Sequence, residues 1–124
     1  AYKFGSVVIP ARKALSLGAE EVIKMIPEAK NYYVTIDIDG YDMCYAPGVG
    51  SPSPGGLNYL FETDVLEGIA KKGNVVGFDL VEVAPQYDPS GITCRLGAMT
   101  MLAFLGYIMK ERELKKQLKA QSAH

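Results

Sequence analysis

Hydrophobic positions along the chain alternate between helical and extended spacing. Apolar residues at helical spacing predict helices over residues 18–26 and 61–72, and a longer helix over 92–119 that is apolar first and charged later. Two β-branched and aromatic runs, residues 32–36 and 75–83, predict strands. The order strand, helix, strand, helix is typical of a parallel sheet covered by helices on both faces, so we predict the α/β class.

Acidic residues stand where each predicted strand ends. Asp37 directly follows the first strand, Glu82 lies near the end of the second, and a loop rich in glycine and proline occupies residues 40–58. In parallel α/β sheets, ligands bind beyond the carboxyl ends of the strands. We therefore expect the functional site at this edge of the sheet.

The first strand leads into three carboxylates, Asp37, Asp39 and Asp42. Residues two apart in a strand share a face, so Asp37 and Asp39 are expected to point the same way. Carboxylates this close repel each other unless they face water, share a proton or hold a cation, and hard divalent cations suit oxygen ligands. A solvated acidic turn remains an alternative. A calcium loop of the EF-hand type does not fit, because its twelfth position is Gly48.

Composition limits the classes of partner. The chain has 124 residues, enough for one domain or part of one, and its formal net charge of -1 argues against nucleic acid or an anionic membrane. The uncharged stretch 96–109 is shorter than the roughly 20 residues that span a bilayer, and residues 1–4 lack the features of a secretory signal. Cys44 and Cys94 have neither metal-binding nor redox spacing. We expect a cytoplasmic protein without a membrane segment.

Three segments match a known pattern in order and spacing: residues 37–42 (DIDGYD), 46–57 (APGVGSPSPGGL) and 77–85 (GFDLVEVAP). They resemble the ureohydrolase signatures Asp-x-Asp-x-x-Asp-Pro, Ala-Pro-Gly-Thr-Gly-Thr-Pro with Pro-Gly-Gly-Leu, and Gly-x-Asp-Val-Val-Glu-Val-x-Pro, in the version of the agmatinase branch. By this resemblance, residues 1–124 are the C-terminal part of a single domain of the agmatinase and arginase family. The implied fold is an arginase-like three-layer α/β/α arrangement with a parallel sheet.

The resemblance also implies a reaction. Family members hold two Mn²⁺ ions that activate a water or hydroxide. Asp37 and Asp39 would be catalytic metal ligands, Asp37 bridging the two ions, and Asp42 would orient a neighbouring ligand or the loop. Glu82 would bind the guanidinium of a guanidino substrate, which the hydroxide attacks to release urea and an amine. Asp79 is interpreted as a supporting residue, and agmatine is the first candidate substrate, before arginine and guanidinobutyrate.

Some positions depart from the family pattern. Met43 replaces a proline, Val49 and Ser51 replace threonines, and Phe61 replaces a glutamate. None of these removes a predicted ligand, but together they leave the substrate branch open.

The histidine motifs of the family, Gly-Gly-Asp-His and Asp-Ala-His-x-Asp, do not occur in the sequence, whose single histidine is His124. We therefore expect a fragment, a truncated product or one piece of a split enzyme that is inactive alone. It would act in a homo-oligomer, a trimer or hexamer, or with a complementing N-terminal half.

Two other hypotheses remain. The chain is alternatively a non-catalytic subunit or degenerate homologue that assembles with a complete ureohydrolase. A deacetylase-like metallohydrolase is disfavoured, because it would need a histidine beside the aspartate pair, where Ile38 stands.

Overall fold

The centre of the fold is a parallel pair of strands. The computed structural model describes residues 2–122, in which β1 (Asn31–Asp37) pairs with β2 (Asn74–Val81). The register runs from Asn31 opposite Asn74 to Asp37 opposite Val81, with one irregularity after Tyr32. The predicted α/β class with a parallel sheet is confirmed.

Four helices surround or extend this sheet: α1 (Ala11–Leu17), α2 (Ala19–Met25), α3 (Tyr59–Lys72) and α4 (Ile92–Gln121). The predictions for α2, α3 and α4 are confirmed to within two residues at each end. Short 3₁₀ turns lie at Tyr2–Phe4, Ile38–Gly40 and Pro85–Tyr87. Helix α1 was not predicted, because its seven residues bury Ala14 alone and so carry no clear apolar stripe.

Local chemistry explains where α3 begins and ends. The side-chain oxygen of Asn58 accepts a hydrogen bond of 2.9 Å from the backbone N–H of Phe61, which satisfies one free donor of the first turn. Gly73 follows the last helical residue, and its N–H donates to the carbonyl of Ile69. A Cβ on Gly73 would lie 2.3 Å from Cε2 of Tyr32, so glycine lets the chain pass close to β1 as it enters β2.

One face of the sheet packs against α3 and α4. The buried core there contains residues from both strands and both helices: Ile36, Leu66, Ala70, Val75, Phe104 and Ile108. The rings of Phe78 and Phe104 meet edge to face with 4.9 Å between their centroids. This contact fixes α4 over the strands, and α2 packs against the outside of α3.

The opposite face of the sheet is open in the part of the chain that the structure describes. Tyr33 is 64% exposed there, and its hydroxyl donates a hydrogen bond of 2.7 Å to Asp79 Oδ2. Asp79 therefore joins the two strands, as expected of a supporting residue. Its other oxygen, Oδ1, is buried and has no hydrogen-bond partner among the described residues.

Helix α4 is apolar around most of its circumference in its first half. Thr100 and Phe104 are fully buried against the sheet side, whereas Met99, Leu102 and Met109 are more than half exposed on the other side. By length and composition α4 is able to cross a membrane, with a mean hydropathy of 1.5 in its most apolar window, of which 28% is buried. The absence of a membrane segment therefore stays a prediction.

Two helical glycines generate opposite predictions for stability. Replacing a helical glycine by alanine lowers the entropy of the unfolded chain and stabilises a helix by about 1 kcal/mol. Gly106→Ala in α4 should show this gain, because a methyl group there meets nothing within 4 Å. Gly68→Ala in α3 should be destabilising, because its methyl carbon would lie 2.0 Å from Cδ1 and 2.6 Å from Cγ1 of Ile23. Urea titration of both variants checks the pair, and a stabilised Gly68→Ala protein would contradict the close packing of α2 on α3.

Candidate metal and substrate site

The parallel register brings two acidic chain segments to one edge of the sheet. Asp37 is the last residue of β1 and lies opposite Val81, the last residue of β2. Glu82 follows Val81 directly and is exposed, as is Asp37. The carboxyl ends of the two strands therefore present the two acids on the same side, where ligands of parallel sheets bind.

The backbone conformation that places Asp39 at this edge differs from the predicted one. The strand stops at Asp37, and Ile38–Gly40 forms a 3₁₀ turn, so the alternation of strand residues does not orient Asp39. The turn is closed locally, because the N–H of Asp39 donates to Asp37 Oδ1 at 3.2 Å, and Ile38 is fully buried beneath it. The expectation that strand alternation orients Asp39 was wrong, whereas Asp37 does end the strand, and the two residues do lie together.

Electrostatics shows that three carboxylates are close enough to interact. The pKa of Asp39 is raised, first by partial burial, then by the negative charge of Asp37 and a hydrogen bond with it, and then by the charge of Glu82. Each of these causes disfavours the ionised form. A cation among the three groups would remove this penalty, so the arrangement is chemically suited to bind positive charge.

The residues present fit one side of a hard divalent metal site. Aspartate oxygens are the ligands that Mn²⁺ and Mg²⁺ prefer, and Asp37 and Asp39 supply them at one point. Within residues 2–122, however, no group of three or more His, Cys, Asp or Glu side chains is arranged to hold a metal ion. His124 lies outside the described residues. The roles of Asp37 and Asp39 as ligands therefore stay predictions.

Glu82 has an unusual backbone conformation. Its φ angle is 65°, in the left-handed region, where residues other than glycine are rarely found. The strand was predicted to continue to residue 83, but this angle ends it at Val81 and turns the chain away. A non-glycine residue stays in this region only when its surroundings hold it there, and such residues concentrate at functional sites.

Asp42 organises the glycine- and proline-rich loop. One of its oxygens accepts a hydrogen bond of 2.9 Å from the N–H of Cys44, and the other accepts one of 2.7 Å from the N–H of Gly55. These bonds, with a further contribution from the Gly56 amide, lower the pKa of Asp42. Gly56 is needed for this closure, since a Cβ there would lie 2.4 Å from the backbone nitrogen of Asp42. The predicted role of Asp42 in orienting the loop is consistent with these contacts.

A second acid, which the sequence analysis did not single out, helps to fix the middle of the loop. Asp88 is 6% exposed, and its carboxylate accepts hydrogen bonds from Ser90 and from the N–H of Thr93 at 2.8 Å. The hydroxyl of Thr93 in turn accepts from the N–H of Gly48 at 2.7 Å. An aspartate and a serine shortly before a predicted helix were an available signal for these hydrogen bonds.

Helix α4 holds the same segment at a second point. The hydroxyls of Tyr41 and Thr100 are 2.7 Å apart and buried, and burial raises the pKa of Tyr41. Tyr41 packs in a second core with Ile38, Ala46 and Val49. Two threonines on the buried face of α4 thus anchor the chain that leads from the acidic turn into the loop.

Asp88 generates a prediction for the pH dependence of stability. Its hydrogen bonds with Ser90 and Thr93 lower its pKa in the folded protein from 3.8 to about 2. Because the folded pKa is lower than the unfolded one, ionised Asp88 stabilises the protein above about pH 4, and this contribution is lost as the pH falls towards about 2. Asp88→Asn should therefore be less stable than wild type at neutral pH and equal to it near pH 2.

Urea unfolding of both proteins between pH 2 and pH 7 measures this convergence. Asp64→Asn, at an exposed position of α3, is the matched control, and its difference from wild type should stay small throughout. A constant gap between wild type and Asp88→Asn would mean that the charge of Asp88 does not stabilise the fold.

Comparison with known proteins identifies the family of the chain. The family model described as "Arginase family" matches residues 1–106. The chain is 39% identical over 106 residues to agmatinase of Neisseria gonorrhoeae (strain NCCP11945), covering 83% of this chain and 34% of the relative. It is 48% identical over 73 residues to the mitochondrial agmatinase of Gallus gallus, covering 59% of this chain and 21% of the relative.

A solved structure shares the fold. The proclavaminate amidino hydrolase of Streptomyces clavuligerus aligns with a TM-score of 0.76 and 36% identity over 86% of this chain and 36% of that chain. The chain thus spans about a third, or less, of the length of the proteins it matches. The predicted resemblance to agmatinases and arginases is confirmed, and this chain belongs to the arginase family.

Proposed function

We propose that this chain is the C-terminal part of a manganese-dependent ureohydrolase that hydrolyses a guanidino compound to urea and an amine. The observation that carries the proposal is that Asp37, Asp39 and Glu82 lie at one edge of a parallel sheet, where burial and the two other carboxylates together destabilise the anion of Asp39. A dinuclear metal pair and a guanidinium are both cationic, and both relieve that destabilisation.

The two aspartates serve the metal side of the site. Asp37 and Asp39 would supply carboxylate oxygens to Mn²⁺, and the local turn already holds Asp37 Oδ1 3.2 Å from the backbone nitrogen of Asp39. When bound, the metal supplies a hydroxide near neutral pH by lowering the pKa of a coordinated water. Asp42 is not assigned to the metal in this proposal, because its two oxygens already serve the loop by accepting hydrogen bonds from the N–H groups of Cys44 and Gly55.

Glu82 serves the substrate side. A carboxylate accepts two parallel hydrogen bonds from the planar fork of a guanidinium, which fixes its plane as well as its position. The loop supports this role, because a Cβ on Gly50 would lie 4.0 Å from Glu82 Oε2, so a glycine here leaves space beside the carboxylate. Glu82 would hold the guanidinium carbon in a constant orientation towards the nucleophile.

The names of the relatives indicate the substrate class. Proteins named agmatinase share 39% to 48% of aligned residues with this chain, and a protein named proclavaminate amidino hydrolase shares its fold. Agmatine is therefore the first candidate substrate, followed by arginine and guanidinobutyrate. We propose that the groups that recognise the far end of these molecules lie in parts of the fold that this chain does not supply.

The isolated chain should be inactive. Two aspartates are too few ligands to hold two Mn²⁺ ions, and both strands of the sheet have one unpaired edge among the described residues. We propose that a complementing N-terminal portion completes the metal site and the sheet, in a homo-oligomer in the cytoplasm.

Reconstitution tests this function. The chain would be mixed with the N-terminal two thirds of Neisseria gonorrhoeae agmatinase and assayed for urea from agmatine with Mn²⁺. We expect no urea from the chain alone and measurable urea from the mixture. In the mixture, Glu82→Gln should lower kcat/KM by roughly 100-fold, since about 3 kcal/mol is lost when a buried charge pair loses one partner.

The control is Asp64→Asn, which removes an equal charge from exposed α3 and should leave urea release unchanged. Urea release by purified residues 1–124 alone would contradict the need for a complement. An unchanged rate in Glu82→Gln would contradict the assignment of Glu82 to the guanidinium.

The exposed side of α4 favours a second candidate function. Met99, Leu102 and Met109 present an apolar surface of the kind found in subunit contacts. The chain would then be a non-catalytic subunit that assembles with a complete ureohydrolase through α4. Size-exclusion chromatography with light scattering distinguishes this function, because a stable monomer that does not bind a complete agmatinase would contradict it.

A further inference from the structure

Gly48 connects the start of α4 to the chain that follows Glu82. Its N–H donates to Thr93 Oγ1 at 2.7 Å, and its carbonyl accepts from the N–H of Ala84 at 2.8 Å. Gly48 is buried and Thr93 is fully buried. The N–H of Gly48 is therefore bonded to α4, and its carbonyl is bonded to Ala84, two residues after Glu82.

This connection leaves no room for a side chain. A Cβ on Gly48 would lie 2.6 Å from Cβ of Asp88, 2.9 Å from Oγ1 and 3.1 Å from Cβ of Thr93. The position of Thr93 is itself fixed, because its N–H donates a hydrogen bond of 2.8 Å to Asp88 Oδ2. Asp88, Thr93 and Gly48 thus form one rigid unit, here called the Gly48 clamp.

The Gly48 clamp bonds to the chain next to Glu82, the residue with the strained backbone. Glu82, with its φ of 65°, needs surroundings that hold its backbone in place. The hydrogen bond from Ala84 to Gly48 fixes the chain just beyond it, and Gly50, on the same loop, lies beside its carboxylate. Moving Gly48 would release both constraints at once.

From this geometry we propose that Thr93 is a positioning residue for Glu82, which acts through Gly48 without touching substrate. The reading of Glu82 as the guanidinium ligand rests on the proposed function, whereas the mechanical link from Thr93 to Glu82 does not. The hydroxyl of Thr93 is the essential group, since it is the acceptor for a buried N–H that would otherwise have no partner. Thr93→Val keeps the shape of the side chain and removes that acceptor, and Thr93→Ser keeps the acceptor.

Thr100→Val is the matched control. Thr100 is also fully buried on the inner face of α4, and its hydroxyl bonds to Tyr41 rather than to the loop at Gly48. The same substitution there removes one buried hydroxyl from the same helix at a comparable cost to stability. The conformation of Glu82 should not change in Thr100→Val. This control therefore separates a general loss of stability from a specific effect on the position of Glu82.

The first measurement is nuclear magnetic resonance on the full chain. In Thr93→Val, the Gly48 amide should exchange with solvent roughly three- to tenfold faster, as expected for the loss of one hydrogen bond. The Cα shift and the HN–Hα coupling of Glu82 should move away from the left-handed conformation. Thr93→Ser and Thr100→Val should keep the Glu82 signals of wild type. If Thr93→Val fails to fold, Thr93→Ala takes its place, and the same changes are expected.

The second measurement uses the chain reconstituted with the N-terminal portion. Thr93→Val should lower kcat/KM for agmatine by about tenfold, and Thr93→Ser should restore most of it. Unchanged Glu82 signals in Thr93→Val and Thr93→Ala, or an equal change in Thr100→Val, would overturn the proposal even if urea is released. Absence of urea from every mixture would instead refute the proposed function, while the Glu82 signals still decide the role of Thr93.

Discussion

Asp37 and Val81 are register partners in a parallel sheet, and this pairing decides which side chains can meet. In an antiparallel pair the ends of the two strands would lie at opposite edges, and Glu82 would be remote from the aspartates. Parallel pairing requires a connection that crosses over the sheet, and the loop and α3 provide it. The convergence of three negative charges is therefore a consequence of topology. The partial burial of Asp39 and the repulsion from its neighbours together make this edge favourable for cations.

Helix α4 connects the core to the site. Its inner face carries Phe104, which packs on the sheet, and two buried threonines whose hydroxyls bond to the chain that follows Asp39. A hydroxyl buried in an apolar core is costly unless it is bonded, so each threonine specifies one position of its partner. The loop is thus held by Asp42, whose carboxylate joins Cys44 to Gly55, and by α4, whose Thr93 bonds to Gly48 between them. This arrangement explains how a segment without regular structure can form a defined wall beside Glu82.

Elements with strong local signals were predicted well. The bounds of α3 and α4 followed from apolar spacing to within two residues, and the α/β class followed from the order of elements. The site was less predictable. Asp39 was assigned to the strand, whereas a 3₁₀ turn closed by its own N–H places it, and the end of β2 was set by the left-handed backbone of Glu82. Both deviations are single-residue conformations that tertiary contacts hold, and hydrophobic periodicity carries no information about them.

The sequence by itself determined the family, the secondary-structure elements and which acidic residues are candidates for the site. Motif spacing and apolar periodicity are properties of the sequence alone. Only the tertiary structure decided that Asp37, Asp39 and Glu82 interact, and that Gly48 lies between Thr93 and Ala84. These contacts join residues far apart in sequence, and their existence depends on distances of a few ångströms between packed elements. Local sequence preferences determine the secondary structure of each segment, whereas tertiary packing determines which side chains come into contact.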